Sequence, residues 1–238
     1  MADDDPIVLY QHPPGWGLAS RDAACLAVQT ALKLARLPFT VNNAGNTAVS
    51  PTGELPLLCA GEELFSGFGP CLAYIRNRDT SDVFNALTDE EGASAKAFMS
   101  LVQVELQYAK IYWYWFEEDN YTAVTHPRFA SRFAWPLNIF LAWRQQRDYH
   151  ALLSTKFEQV SAEKIYAAAS TALDALSARL GDSDWFFASP SALDCCVAAY
   201  VSEILGAGSE LPTPALATIV RGHPTLVAHA QRVLAQLE

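Results

Sequence analysis

The sequence predicts an α/β domain followed by an all-helical domain. Patterns for three or more short strands fall before residue 80, and strand patterns are absent from Asp89 onward. A Leu55–Pro56 step leads into the third strand pattern, where a proline gives up a backbone donor without breaking an interior ladder bond. We expect this peptide bond to be cis, in a sharp turn that the fold holds in place. The predicted boundaries are 1–80 for the first domain, 81–88 for a linker and 89–238 for the second domain.

The first domain is predicted to have the element order β-α-β-β-α. A first strand is expected after Pro6, and a helix is expected after Ser20, with Ser20 as its N-cap and Pro38 ending it. Because a second strand follows this helix directly, the first two strands should be parallel with a right-handed crossover. The remaining elements form a hairpin and a short helix. The predicted bounds are Ile7–Tyr10, Phe39–Val41, Leu57–Cys59 and Glu63–Phe65 for the strands and Phe68–Arg76 for the closing helix.

The second domain is predicted from helical periodicity. Apolar residues recur every three or four positions from Glu91 to Glu118, which predicts one long amphipathic helix. Ser191 and Asp194 form the Ser-x-x-acid pattern of a capping box at the start of a later helix. The other predicted helical stretches are Thr122–Phe157, interrupted at Pro127 and Pro136, Ala162–Leu180, ending at Gly181, and Pro224–Leu237.

Composition and charge narrow the classes of function. The chain has 238 residues, is 51% hydrophobic and carries a formal net charge of −10. These values indicate a globular protein and argue against a nucleic-acid surface, which needs clustered cations. The five cysteines include no C-x-x-C pair and the histidines lack ligand spacing, so neither a disulfide framework nor a metal site is expected. No apolar run is long enough to span a bilayer, and the acidic N-terminus does not resemble a secretory signal or mitochondrial presequence.

An α/β unit with an X-Pro turn, followed by helices that include an S-x-x-D start, resembles the glutathione-transferase fold, whose N-terminal domain is thioredoxin-like. Within that fold, an ordered set of short stretches across nearly the whole chain resembles the metaxins. Any one stretch is weakly specific, whereas the ordered set is more so. The stretches are Gly15–Ser20, Ser50–Pro56, Ala97–Leu101, Asn120–Tyr121 with Val124–Thr125, Trp135–Leu141 and Ser191–Asp194.

The resemblance to metaxins implies a place and partners for the protein. Metaxins are proteins of the mitochondrial outer membrane on its cytosolic side, and they work with a β-barrel core subunit in sorting and assembling β-barrel precursors. The expected partners are therefore that core subunit and a second metaxin. Some metaxins carry a C-terminal anchor, whereas this sequence ends at Gln236–Glu238 without a hydrophobic tail. Peripheral attachment through partners or membrane contact is therefore expected.

An enzymatic role as a glutathione transferase or related thiol-transfer protein is the competing hypothesis. In that family a Glu/Gln-Ser pair opens the helix after the hairpin and holds a ligand carboxylate, but here the aligned residues are Gly67 and Phe68. A shifted alignment would place Ser66 nearby. The candidates for a catalytic hydroxyl or thiol are Tyr10, Ser20 and Cys25, for which packing or capping is the better reading. We therefore expect no catalytic residue, no cofactor and no metal.

Two aromatic stretches could instead carry binding. Ile111–Phe116 places rings on every side of a helix end, and Arg132–Arg144 flanks apolar residues and tryptophans with arginines. The alternative is burial between helices for the first stretch and a proline-kinked core helix for the second. Amphipathic Trp and Tyr are also favoured at membrane and partner contacts, and a large exposed apolar patch marks a binding site. The residues hypothesised to dock the protein to a partner or membrane are Trp113, Trp115, Phe133, Trp135 and Trp143.

Overall fold

The computed structural model describes residues 6–44, 46–79, 81 and 83–235. The strands of these residues form one four-stranded sheet with the order β2-β1-β3-β4. β1 pairs with β2 in parallel and with β3 antiparallel, and β3 and β4 form an antiparallel hairpin. The strands are β1 (Ile7–Gln11), β2 (Phe39–Asn43), β3 (Leu57–Ala60) and β4 (Glu63–Ser66).

The helices divide between the sheet unit and the second unit. Two pack with the sheet: α1 (Ala23–Leu34) and α2 (Phe68–Arg78). The helices of the second unit are α3 (Asp89–Leu101), α4 (Gln107–Trp115), α5 (Glu118–Asn120), α6 (His126–Ala130), α7 (Leu137–Ser154), α8 (Ala162–Leu180), α9 (Ala192–Ala207), α10 (Ala215–Arg221) and α11 (Pro224–Ala235). The predicted α/β unit and the helical unit after it are therefore both present.

The start of α1 differs from the prediction. Asp22, rather than Ser20, is the N-cap, and its carboxylate accepts a hydrogen bond from the backbone N–H of Cys25 at 2.9 Å. The hydroxyl of Ser20 is buried and donates to the carbonyl of His12 at 2.9 Å. Ser20 therefore fixes the loop between β1 and α1, and the carboxylate two residues later caps the helix.

The helix α1 is buried between two cores. Its residues Ala23 and Leu26 pack with the helical unit, whereas Val28 and Leu32 pack with the sheet. The neighbouring helix α9 is shared in the same way, because adjacent residues of a helix point in different directions. Of its two cysteines, Cys195 lies in the sheet core and Cys196 in the helical core.

A buried ion pair ties the two units together at the start of α1. Lys110 of α4 contacts Glu203 of α9 with an Nζ–Oε2 distance of 2.5 Å, and both side chains are almost fully buried. The same carboxylate oxygen accepts the backbone N–H of Ala23 at 2.9 Å, which satisfies one of the donors left open at a helix start. Burial raises the pKa of Glu203 to about 6, and the Lys110 ammonium opposes that rise.

The start of α9 is held by a second buried polar group. Ser191 donates to Asp194 from its backbone N–H at 2.8 Å and from its hydroxyl at 2.6 Å, within a capping box. The other carboxylate oxygen accepts the N–H of Phe186 at 3.1 Å and lies 2.8 Å from Nε2 of His229 in α11. Asp194 thus joins the helix start, the loop before it and α11.

The helical unit departs from the prediction in its first long helix, at Pro127, which lies in the first turn of α6 and does not interrupt it, and at one short helix. The single helix predicted over Glu91–Glu118 begins at Asp89, contains a π-helical turn at Val102–Leu106 and ends at Trp115. The sequence analysis did not identify the short α10, which follows two prolines. The predicted end of the last helix at Leu237 lies outside the described residues, as do Thr80, next to the predicted linker, and Asp82 within it.

Candidate functional site

The proline turn lies at a corner between the sheet and α2. The Leu55–Pro56 peptide bond is cis, and β3 begins at the next residue. The carbonyl of Pro56 accepts the backbone N–H of Gly67 at 2.8 Å, so the turn is bonded to the residue that precedes α2. This corner is where a thioredoxin-like fold would present backbone to a ligand.

The N-terminus of α2 carries no side-chain hydroxyl at its first positions. Its N-cap is Gly67, with φ +84 and no side-chain capping bond, and its first helical residue is the half-buried Phe68. A Cβ placed on Gly67 would lie 3.3 Å from a carboxylate oxygen of Glu54, so an acidic side chain already stands beside this helix start. Ser66 is the last residue of β4, and its hydroxyl accepts a hydrogen bond from Ser50 at 3.0 Å.

The predicted nucleophile candidates do not gather at this corner as reactive groups. The hydroxyl of Ser20 is committed to the β1–α1 loop, and Tyr10 is half-buried against the small cluster around Leu55 and Leu57. Cys25 is fully buried, and burial together with the charge of Asp22 raises its pKa far above the ordinary thiol value. Because the thiolate is the nucleophile, Cys25 is held in its unreactive form.

The β1–α1 loop closes against the helical unit. Trp16 adopts a positive φ of 56° and packs on α9, where a Cβ added to Gly206 would lie 2.8 Å from the Cβ of Trp16. Glu210 forms an ion pair with Arg128 at 2.7 Å, and its neighbours Arg128 and Trp16 lower its pKa. The loop that would border a ligand at the corner is therefore fixed by the second unit.

Neither a metal site nor a membrane span is found in the part of the chain that the structure describes. No group of three or more His, Cys, Asp and Glu side chains there could hold a metal ion. Among the same residues, no helix has the length and apolar character to cross a bilayer.

The docking hypothesis is wrong for two of its five residues, Trp113 and Trp115, because both are buried. Trp113 is fully buried, and its indole N–H donates to the carbonyl of Thr213 at 2.6 Å. Trp115 is also buried, with its ring centroid 5.2 Å from those of Phe129 and Tyr149. Both tryptophans face neighbouring helices because α4 lies inside the helical unit, with other elements packed on several sides of it.

The other aromatic stretch is exposed. Trp135 is 78% exposed just before α7, and the first two turns of the helix expose four further large apolar side chains. Phe133 differs from them, because it is half-buried with its ring 5.4 Å from that of Phe129. We call the exposed set the α7 surface; it consists of Trp135, Leu137, Ile139, Phe140 and Trp143.

The orientation of α7 explains this exposure. Its core side is formed by the buried Ala142 and Leu153 with the half-buried Tyr149, and Gln146 donates to the carbonyl of Trp115 at 2.8 Å. At about 100° per residue, Leu137 and Phe140 lie on the opposite side of the helix and Trp143 lies on its flank. Ile139 is only about 60° from Ala142, but it is exposed in the first turn of the helix. The sequence analysis missed Ile139 and Phe140. A helical projection anchored on Ala142, Tyr149 and Leu153 would have found Phe140, whereas it places Ile139 nearer to the core side.

Arginines accompany the α7 surface. Arg144 and Arg147 lie on the same side of the helix as Phe140, and the guanidinium of Arg147 lies 5.1 Å from the ring centroid of Trp143. Arg144 forms an exposed ion pair with Asp148 at 3.7 Å. Arg132 is exposed on the chain that leads to Trp135. The surface is therefore both aromatic and cationic.

A cavity of about 800 Å³ lies on another side of the molecule, between α2 and α3. Its apolar wall includes Phe68, Leu72 and Met99, and its polar wall includes Arg76 and Lys96. Phe68 thus forms part of the seam between the two units.

Comparison with known proteins separates fold from family. Glutathione S-transferase III in its apo form superposes with a TM-score of 0.61 at 16% identity, covering 97% of this chain and 92% of that one. A glutathione transferase from Phanerochaete chrysosporium superposes with a TM-score of 0.63 at 13% identity, covering 98% and 97%. The glutathione S-transferase C-terminal domain family matches residues 169–233. These likenesses establish a glutathione-transferase-like fold.

The sequence relatives are more specific. The family described as outer mitochondrial membrane transport complex protein matches residues 25–146. Human metaxin-1 is 32% identical over 96% of this chain. The chain spans about half the length of that relative, 50%. Human metaxin-2 is 30% identical over 94% of this chain and 86% of that protein. The chain therefore belongs to the metaxin family of outer mitochondrial membrane transport complex proteins.

Proposed function

We propose that this protein is a non-enzymatic subunit that supports the sorting and assembly of β-barrel proteins, and protein import, at the mitochondrial outer membrane. It acts on the cytosolic face beside a β-barrel core subunit and a second metaxin, and it is attached peripherally. The observation that carries the proposal is that similarity to metaxins extends over 96% of the chain, through both units of the fold. Solved glutathione transferases share the same architecture with only 13–16% identity.

The corner at Pro56 supports a non-enzymatic role. A ligand carboxylate at the start of α2 would need donors, but Gly67 and Phe68 offer no hydroxyl, and Glu54 stands there with a like charge. Two of the three predicted candidates are not activated, because Cys25 is buried and the hydroxyl of Ser20 is committed to the carbonyl of His12. The groups present therefore fit a closed structural corner better than a glutathione site.

The first experiment tests the role in mitochondria. Removing the protein from its native cells should lower the steady-state amount of outer-membrane β-barrel proteins, whereas matrix proteins serve as the comparison. Re-expression of the wild-type chain should restore them, and so should a Cys25→Ser variant, because the proposal gives the thiol no chemical role. Unchanged β-barrel levels after complete removal would contradict the proposed function.

A glutathione transferase is the second candidate, favoured by the overall fold. Purified protein should pass through a glutathione-affinity column and should not accelerate conjugation of glutathione to an electrophilic aryl halide. A true glutathione transferase assayed in parallel provides the positive control. Robust retention together with turnover by this chain would overturn the non-enzymatic assignment.

The third candidate is a structural subunit of a different mitochondrial complex. Cross-linking mass spectrometry on native membranes distinguishes it, because the proposed function requires cross-links to a β-barrel core subunit or to a second metaxin. Cross-links exclusively to the components of another complex would favour the third candidate instead.

A further inference from the structure

The helix under the α7 surface has several of its large apolar side chains on the solvent side, which is unusual. On a helix of a water-soluble domain the large apolar side chains normally face the core. Here the small Ala142 faces the core, while Ile139, Phe140 and Trp143 face outward, each more than half exposed. Exposing this much aromatic and aliphatic surface is unfavourable in water, so a contiguous patch of this kind marks a contact surface.

The charge around the patch identifies what covers it. Between Asp119 and Asp148 the chain has four arginines and no acidic residue, although the whole chain has a formal charge of −10. Arg128 is paired with Glu210, whereas Arg132, Arg144 and Arg147 lie around the exposed rings, with Asp148 at 3.7 Å from Arg144. An anionic surface would therefore attract this side of the molecule and repel the rest, and it would orient the protein before contact.

The geometry of the patch matches a flat boundary. Leu137, Phe140, Arg144 and Arg147 form one stripe along the side of the helix, which is about 15 Å long at 1.5 Å per residue. The exposed Trp143 lies beside this stripe. A helix lying in a membrane interface places its apolar side chains at the acyl boundary and its arginines among the phosphates. Tryptophan, which has an apolar ring and a polar N–H, is enriched at that depth.

We propose that the α7 surface binds directly to the headgroup region of an anionic phospholipid bilayer, with α7 parallel to the membrane plane. Trp135, Ile139, Phe140 and Trp143 enter the boundary between headgroups and acyl chains, and Arg132, Arg144 and Arg147 contact lipid phosphates. This inference rests on the proposed function, because it gives the peripheral subunit a lipid contact in addition to its protein partners.

The test is flotation of the purified chain with lipid vesicles. Vesicles of phosphatidylcholine containing about 30 mol% phosphatidylserine should carry the protein, whereas pure phosphatidylcholine vesicles should carry much less. Raising the salt concentration from about 0.1 M to about 0.5 M should weaken the binding, because the shorter Debye length screens the arginines.

Two variants separate the apolar and the cationic contributions. The variant Trp135→Ser/Ile139→Ser/Phe140→Ser/Trp143→Ser should lower the vesicle affinity by at least about tenfold, because it removes the inserted area. The variant Arg132→Gln/Arg144→Gln/Arg147→Gln should lower it by about a hundredfold, at about fivefold for each arginine. All the substituted side chains are exposed, so circular dichroism and thermal unfolding of both variants should match the wild type. The half-buried Phe133 is left unchanged.

Matched controls lie elsewhere on the surface. Leu64→Ser removes an apolar side chain that is 53% exposed, as Trp143 is, and Arg36→Gln/Lys164→Gln/Arg221→Gln removes three exposed cations outside the patch. Both controls should bind vesicles like the wild type.

Two outcomes overturn the inference and leave the proposed function standing. One is that the folded wild-type chain fails to float with either vesicle. The other is that the α7 variants float normally but lose co-purification with the mitochondrial complex in detergent, which would assign the surface to a protein partner. Loss of β-barrel assembly is measured separately in cells, so a failure of the proposed function is recognised by that assay.

Discussion

The buried pair Lys110–Glu203 allows a quantitative prediction about how the two units are held together. Replacing Lys110 with methionine keeps an unbranched side chain one atom shorter and removes the ammonium that lies 2.5 Å from the carboxylate. Glu203 then remains buried with a backbone N–H donor, that of Ala23, but without its counter-charge. Removing one member of a buried pair costs about 3–5 kcal/mol, a large part of the roughly 5–15 kcal/mol that stabilises a typical domain.

The cost should depend on pH with a defined sign. The folded-state pKa of Glu203 is about 6, above its reference value of 4.5, so the folded protein binds a proton more tightly than the unfolded chain does. The stability gained by that protonation is complete below pH 4.5 and is lost as the pH rises through about 6. Without the ammonium, which lowers the pKa, the carboxyl should protonate at still higher pH. The destabilisation by Lys110→Met should therefore be greatest above neutral pH and smaller in mild acid.

Urea unfolding monitored by circular dichroism at about pH 8 and about pH 5.5 measures both effects. The double variant Lys110→Met/Glu203→Gln is the control, because the glutamine can still accept the N–H of Ala23 but buries no charge. It should recover most of the stability lost by Lys110→Met. A loss below about 1 kcal/mol at the higher pH, or a loss that is the same at both pH values, would refute the argument that an uncompensated buried carboxylate causes it.

Three further predictions follow from burial. Asp194→Ala should destabilise the protein by about 3–5 kcal/mol in urea unfolding, because Asp194 is fully buried with four hydrogen-bonding contacts. Asp174 is an exposed partner of a histidine, so Asp174→Ala should cost less than about 1 kcal/mol. Trp113→Ala should cost about 3–5 kcal/mol and Trp135→Ala within about 0.5 kcal/mol, which distinguishes the buried ring from the exposed one by thermal unfolding. In brief alkylation of the native protein, peptide mapping should find Cys59 modified first, because it is half-buried whereas the other four cysteines are buried; equal labelling of all five would contradict the packing.

Local signals in the sequence predicted much of the fold. The hairpin after Pro56, the helix that ends at Gly181 and the helix that starts at Ser191 are all present near their predicted bounds. Each of these depends on residues a few positions apart: a proline before a strand, a glycine after a helix, a serine three residues before an aspartate. Signals of this kind are local, and the tertiary structure did not override them.

Features decided by neighbouring elements were not predicted. Ser20 and Asp22 are both acceptable N-caps in sequence, and the choice between them depends on the carbonyl of His12, which takes the serine hydroxyl. The π-helical turn at Val102–Leu106 lies within a regular apolar period that gives no sign of it. The Trp16 contact with Gly206 joins residues far apart in the chain, so neither residue alone indicates it.

The two aromatic stretches show how far a pattern can be taken towards function. Both contain more rings than one face of a helix can hold, so the ring pattern by itself does not choose between them. The choice is made by position: α4 is packed on several sides, whereas α7 faces the core with one side, which includes Ala142, Tyr149 and Leu153. In the sequence, arginines flank the exposed stretch, whereas none lies next to Ile111–Phe116. Arginines without carboxylates in an apolar stretch are unusual in an acidic chain. This charge pattern is therefore better evidence of a contact surface than the aromatic content of the stretch alone.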